Sequence, residues 1–163
     1  MGAPLNVLFL CTHNSARSVL AECLLNHLGA GRFRAFSAGS QPSGRVNPFA
    51  LQALAEAGVD TTGVCSKSWD TFAEPGAPEM DLIITVCDSA AGELCPVWPG
   101  HPATAHWGYA DPSATTGPDA ARLMAFRDTM TLIRRRLEIL VALPGERLDA
   151  LRIEQTARSL ADR

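Results

Sequence analysis

The sequence predicts one α/β domain built on an open, four-stranded parallel sheet with helices on both faces. Three observations predict it. The apolar runs at 5–10 and 81–86 lack polar alternation, the pattern of strands buried on both faces. Helical stretches separate the candidate strands, so strand and helix alternate. The 163 residues contain no repeat and no linker-like stretch, so 1–163 is expected to be a single domain around one core.

The elements follow in order. Residues 5–10, Leu-Asn-Val-Leu-Phe-Leu, form the first strand, and a polar loop through Thr12, His13 and Asn14 follows it. A helix starts near Ser15 or Ala16, with Leu20, Leu24 and Leu28 on one face, and Gly29 ends it. Residues 34–37 are the second strand, closed by Ala38-Gly39. A second helix covers 47–57 and stops at Gly58, and a third strand covers 81–86. Residues 88–118 are rich in Pro, Gly and His and read as a long irregular stretch with a short strand near 104–107. A long helix covers 119–143, where Leu123, Phe126, Met130, Ile133, Leu137 and Leu140 keep the spacing of a core-facing stripe. Pro144-Gly145 stops it, and 147–161 reads as a last amphipathic helix.

Composition excludes several classes. A net charge of −3 without a basic run argues against nucleic acid and anionic membranes as partners. No apolar stretch reaches the roughly 18 residues of a bilayer span. The start lacks a basic n-region and runs straight into a core strand, so the cytoplasm is the expected compartment. Five cysteines, an odd number, do not make a disulfide framework at this length.

The segment Cys11-Thr12-His13-Asn14-Ser15-Ala16-Arg17-Ser18 carries the chemistry. It is a C-x5-R-S sequence placed between the first strand and the first helix. A tight loop at a helix N-terminus turns backbone N–H groups toward one point, and the helix dipole adds positive charge there. Arg17 closes the loop and suits bidentate grip of an oxyanion. These influences should favour Cys11 as a thiolate nucleophile. Ser18 adds a donor for the sulfur, and His13 is expected to contribute its backbone N–H alone.

Residues 7–22, "VLFLCTHNSARSVLAE", resemble the low-molecular-weight tyrosine phosphatase superfamily, and within it the arsenate reductases. The likeness extends to Ser37-Ala38-Gly39, Ser66-Lys67-Ser68-Trp69, Thr85-Val86-Cys87-Asp88, Cys95-Pro96 and His106-Trp107-Gly108. It implies a flavodoxin-like fold and attack by Cys11 on a bound tetrahedral anion. A phosphatase then needs water, whereas a reductase needs a second thiol.

Cys87 follows the third strand as Cys11 follows the first, so a parallel sheet puts both at its carboxyl edge. Cys95 comes after seven further residues, past the small residues Ala90-Ala91-Gly92, which suit a loop that carries one cysteine to another. The resemblance implies a relay. Cys11 attacks arsenate, Cys87 attacks Cys11 as arsenite departs, and Cys95 then attacks Cys87. No cofactor is expected. Electrons are expected from thioredoxin, or from glutathione with glutaredoxin. Phosphate and sulfate are the expected competitors, and the protein is expected to act as a monomer.

The resemblance also makes Asp111 the general acid. Ser113 stands where tyrosine phosphatases carry an aromatic, which favours a small inorganic substrate over phosphotyrosine and leaves only residual phosphatase activity. It places Asn14, Glu22, Ser37 and Lys67 behind the loop, with the Lys67 ammonium standing near Glu22 in place of a bound cation. Cys23 is expected in the core, and Cys65 in a loop, incidental to the chemistry. A rival use of the same region is a zinc module formed by Cys87, Cys95, His101 and His106.

Overall fold

The computed structural model describes residues 4–87 and 102–147. Four strands, β1 (Leu5–Cys11), β2 (Phe33–Gly39), β3 (Leu82–Thr85) and β4 (Ala103–His106), lie in the order β2-β1-β3-β4. All pairings are parallel; Phe9 of β1 sits between Ser37 and Ile84. Central β1 is buried from Val7 to Cys11, which explains its unbroken apolar run.

Pleating divides the core. Val7, Phe9 and Cys11 face one side, where α1 (Arg17–Leu28), α2 (Pro48–Glu56) and α3 (Asp119–Ala142) pack together. Leu8 and Leu10 face the other, where Trp69, Phe72 and Met80 cover them. The first crossover, β1-α1-β2, runs toward the β2 edge. The chain then returns past β1 to β3. Right-handed connections that reverse direction must change faces, and the return carries the 3-10 turn Trp69–Phe72 over the second face. Among the described residues that turn, not an α-helix, covers the second face. The order therefore switches between β1 and β3, which opens a crevice at their carboxyl ends.

Local chemistry sets the element ends. The Asn47 side chain accepts from the Phe49 N–H at 2.9 Å, and Pro48 opens α2 at the position where its missing N–H costs nothing. Gly29, after α1, leaves room for Phe33, whose ring would lie 2.7 Å from an added Cβ. Along α3 the stripe Leu123, Phe126, Ile133, Leu137 and Leu140 is buried, and Met130 is half-buried against it. Among the described residues no helix is long and apolar enough to cross a membrane. The last expected helix, 147–161, lies almost entirely outside them.

Candidate active site

Cys11 ends β1 and Arg17 begins α1, so the intervening loop sits at the switch point. Its carbonyls are claimed from outside. Thr12 O accepts from Gln41 N–H at 2.9 Å, His13 O from Ser43 N–H at 3.0 Å, and Ser15 O from Asn47 N–H at 2.9 Å. The Ser66 hydroxyl also donates to His13 O at 3.1 Å. In a planar trans peptide the C=O and the next N–H point oppositely. Outward carbonyls at Thr12, His13 and Ser15 therefore turn the N–H groups of His13, Asn14 and Ala16 inward. The first turn of α1 contains no acidic side chain, so its positive end is uncompensated. Such a loop, a cradle of N–H groups, suits an anion.

Asn14 holds this shape. It is fully buried and has φ 48°, a left-handed conformation that asparagine tolerates better than most residues. Its Nδ2 donates to Ser18 Oγ and Ser37 Oγ, both at 2.9 Å, and its Oδ1 accepts from Lys67 N–H at 2.9 Å. Because Ser18 Oγ accepts from Asn14, its own proton is left to donate elsewhere. Ser37 in turn donates to Glu22 Oε1. Lys67 reaches this network through its backbone. Its ammonium donates to the Cys65 carbonyl at 2.9 Å, not to Glu22, although its charge still pulls the Glu22 carboxyl downward.

Burial dominates at Glu22 and holds its carboxyl above the ordinary value near 4.5, against the opposing Ser37 hydrogen bond and Lys67 charge. The folded state thus prefers the protonated form. The stability this group contributes is full below about pH 4.5 and is lost as pH rises through the raised folded-state value. Glu22→Gln should remove that decline. Urea unfolding of wild type and variant across pH 4 to 8 should give a stability difference that grows with pH in favour of the variant; a constant difference would refute the assignment.

Cys87 lies two residues beyond β3 and is buried. Its sulfur receives the Thr12 N–H at 3.3 Å and lies 3.7 Å from Thr12 Oγ1. It also lies close enough to the Cys11 thiol for the two sulfurs to influence each other. This contact corrects an expectation. Loop and arginine were expected to lower the Cys11 thiol, yet in the resting site it is raised. The hydrogen bond with Cys87 is the largest cause and burial the next, while Arg17 and the Thr12 N–H act in the lowering direction. Two adjacent buried sulfurs share protons, and a second negative charge beside the first has little solvent to stabilise it. The Cys11 thiolate is therefore harder to form while the Cys87 thiol stands beside it.

Arg17 faces a segment that sequence reasoning assigned only in part. Its Nη1 donates to the Tyr109 carbonyl at 2.9 Å, its Nη2 lies 3.6 Å from Asp111 Oδ2, and its buried Nε has no protein partner. Asp111 is thus brought to the loop. Its Oδ1 accepts from the Ser113 N–H at 3.0 Å and the Ser113 hydroxyl at 2.7 Å. The Tyr109 carbonyl escaped detection because any residue supplies one. Arg136 of α3 stacks over Trp107 and Tyr109, 5.8 Å and 5.1 Å from their ring centroids, and steadies this segment. No sequence spacing signals that contact.

Cys95 and His101 lie outside the described residues. His106 Nδ1 hydrogen-bonds with Thr85 Oγ1 at 2.7 Å, and among the described residues no cluster of His, Cys, Asp or Glu is arranged to hold a metal. The zinc reading is not favoured. Cys23 is in the core as expected, its thiol pushed up to about 12 by burial, and Cys65 is exposed.

Residues 6–154 match the family model described as low molecular weight phosphotyrosine protein phosphatase. The chain is 33% identical over 132 residues to an arsenate reductase of Halalkalibacterium halodurans, covering 81% of this chain and 91% of that one. The crystal structure of arsenate reductase from Archaeoglobus fulgidus matches with a TM-score of 0.64 at 31% identity, over 84% of this chain and 99% of that one. A structure of an arsenate reductase in the phosphate binding state matches with a TM-score of 0.65 at 30% identity, over 85% and 97%.

Proposed function

The chain belongs to the low molecular weight phosphotyrosine protein phosphatase family, and we propose that within it this protein is an arsenate reductase working through a thiol relay. One observation carries the choice of reductase over phosphatase. The Cys87 sulfur accepts the Thr12 N–H of the loop and lies beside the Cys11 thiol, so a second thiol stands where a phosphatase requires only water. The arsenate reductases among its relatives support the same reading.

Arsenate occupies the cradle, held by the inward N–H groups of His13, Asn14 and Ala16, by the first turn of α1 and by Arg17. The Cys11 thiolate attacks arsenic, and an arsenic–oxygen bond breaks while Asp111 protonates the departing oxygen. The Cys87 thiolate then attacks Cys11 Sγ. The sulfur–arsenic bond breaks and its electron pair stays on arsenic, which leaves as arsenite, and a Cys11–Cys87 disulfide forms. Cys95 attacks Cys87, frees Cys11, and the Cys87–Cys95 disulfide passes to an external reductant. Thioredoxin is the reductant we favour, with glutathione and glutaredoxin as the other route. Phosphate and sulfate compete for the cradle. A thiol-driven cycle suits a reducing compartment, the cytoplasm, and a monomer suffices for it.

A single-turnover assay tests this. Fully reduced protein mixed anaerobically with excess arsenate, without added thiol, should yield about one arsenite per chain and lose about two thiols. Arsenate binding without arsenite release would overturn the reading.

A further inference from the structure

The solvent face of α3 carries its own apolar stripe. Met124, Leu132 and Ile139 are 50%, 48% and 67% exposed. At 3.6 residues per turn they fall within an arc of about 80°, opposite the buried stripe of Leu123, Phe126, Ile133, Leu137 and Leu140. Exposed Ala121, Asp128, Arg135 and Ala142 lie in the same arc, so the face steps by three or four residues from Ala121 to Ala142.

Two charges on this face stand apart. The other charged side chains of α3 are engaged within the chain: Asp119 with Arg122 at 3.9 Å, Arg127 with Glu56 at 2.8 Å, Arg134 with Glu138 at 4.0 Å, and Arg136 over Trp107 and Tyr109. Asp128 and Arg135 make no ion pair among the described residues. They are opposite in sign and about two turns apart.

The face also has a centre. The midpoint of Asp128 and Arg135 falls between Thr131 and Leu132. The midpoint of Met124 and Ile139 falls there too, and so does that of Ala121 and Ala142. A two-fold axis through this point lays the face on its own reverse. Met124 then meets Ile139 of a second copy, Asp128 meets Arg135, Ala121 meets Ala142, and Leu132 packs across the axis. We propose that this face docks a second copy of the chain through an antiparallel α3–α3 pair. Apolar character alone gives no reason for a face to match its own reverse in size and charge at every step.

α3 begins just after Pro112–Ala114, beside the Asp111 segment. Near its other end the carbonyls of Val141 and Leu143 accept from Arg32, which precedes β2. The helix thus runs from the carboxyl edge of the sheet to the amino edge. An antiparallel pair puts the two sites at opposite ends, each complete in its own chain, so turnover per chain should not depend on pairing. One helix pair is a small interface, and the dimer is therefore reversible and concentration-dependent.

Sedimentation velocity of the full chain from about 1 to 500 μM should show the mass moving from one chain toward two. Asp128→Arg sets arginine against arginine twice across the pair, and Arg135→Asp sets aspartate against aspartate twice. Each should raise the dimer Kd at least about tenfold. An equimolar mixture of the two variants should restore the dimer, because every contact again joins opposite charges. The double variant should restore it for the same reason. Leu132→Glu puts two carboxylates at the axis and should abolish the dimer. Arsenite formation per chain should stay at the wild-type level throughout, which reports that each variant is folded. Wild type that remains one chain at every concentration would overturn the proposal and leave the face to a different partner. A dimer indifferent to these changes would place the interface elsewhere. Loss in both single variants without rescue in the mixture would exclude the antiparallel register.

Discussion

Cys87→Ser is expected to lower arsenate turnover by at least about a thousandfold, while slow hydrolysis of a phosphomonoester stays within about threefold of wild type. The asymmetry follows from what each reaction asks of this position. In the proposed mechanism, displacement on a tetrahedral anion uses Cys11, Arg17, Asp111 and the inward N–H groups, and none of these is removed. Reduction needs a nucleophile that attacks Cys11 Sγ and accepts a sulfur–sulfur bond. A serine hydroxyl stays protonated near neutral pH and forms no such bond. Cys11→Ser is the control and should abolish both activities. A second readout comes from the sulfur contact. Cys87 is the largest cause raising the Cys11 thiol, so its loss should shift the pH dependence of Cys11 alkylation toward lower pH. Arsenate reduction that survived Cys87→Ser with any reductant would sink the relay.

How far the sequence reveals such a site depends on which interactions follow from connectivity. The cradle was legible because it is local. Cys11, Arg17 and the loop lie within one strand–loop–helix unit, and the chain's own geometry brings them together. Cys87 was legible at one remove, since strands that run parallel must end at the same edge. The actual contact between the two sulfurs depends on how Thr12 and β3 pack, and it reversed the expected direction of the Cys11 shift. The loop does act in the lowering direction, but a neighbouring thiol and burial outweigh it. Lys67 taught a similar lesson. Its backbone N–H, not its ammonium, bonds to Asn14, and the ammonium donates to the Cys65 carbonyl. Trp69–Phe72 left only a faint trace, the Ser68 side chain accepting from the Asp70 N–H at 3.2 Å. The Tyr109 carbonyl and the Arg136 stack left none, because main-chain acceptors and long-range ring contacts have no residue-type signature at fixed spacing.

Gly39→Ala is expected to cost at least about a hundredfold in both arsenate reduction and phosphomonoester hydrolysis, with roughly 1–3 kcal/mol of stability. The reason is space. Gly39 pairs with Cys11 in the β1–β2 register, and its N–H donates to Lys67 O at 2.9 Å, so its own backbone is fixed from both sides. An added Cβ would lie 2.4 Å from Thr12 O, 2.7 Å from Cys11 O and 3.0 Å from Asn14 N. All three are backbone atoms of the cradle, and none swings aside as a side chain would. Relief requires tilting the Thr12 peptide, which breaks its bond from Gln41 and turns the His13 N–H away from the anion. Arsenate affinity and the Cys11 trajectory should therefore fail together. Gly145→Ala is the matched control, since a Cβ there meets nothing within 4 Å. Inorganic phosphate titrated calorimetrically into each variant would report on the cradle apart from the redox steps. Wild-type affinity in Gly39→Ala would mean that the β2 edge does not set the shape of the loop.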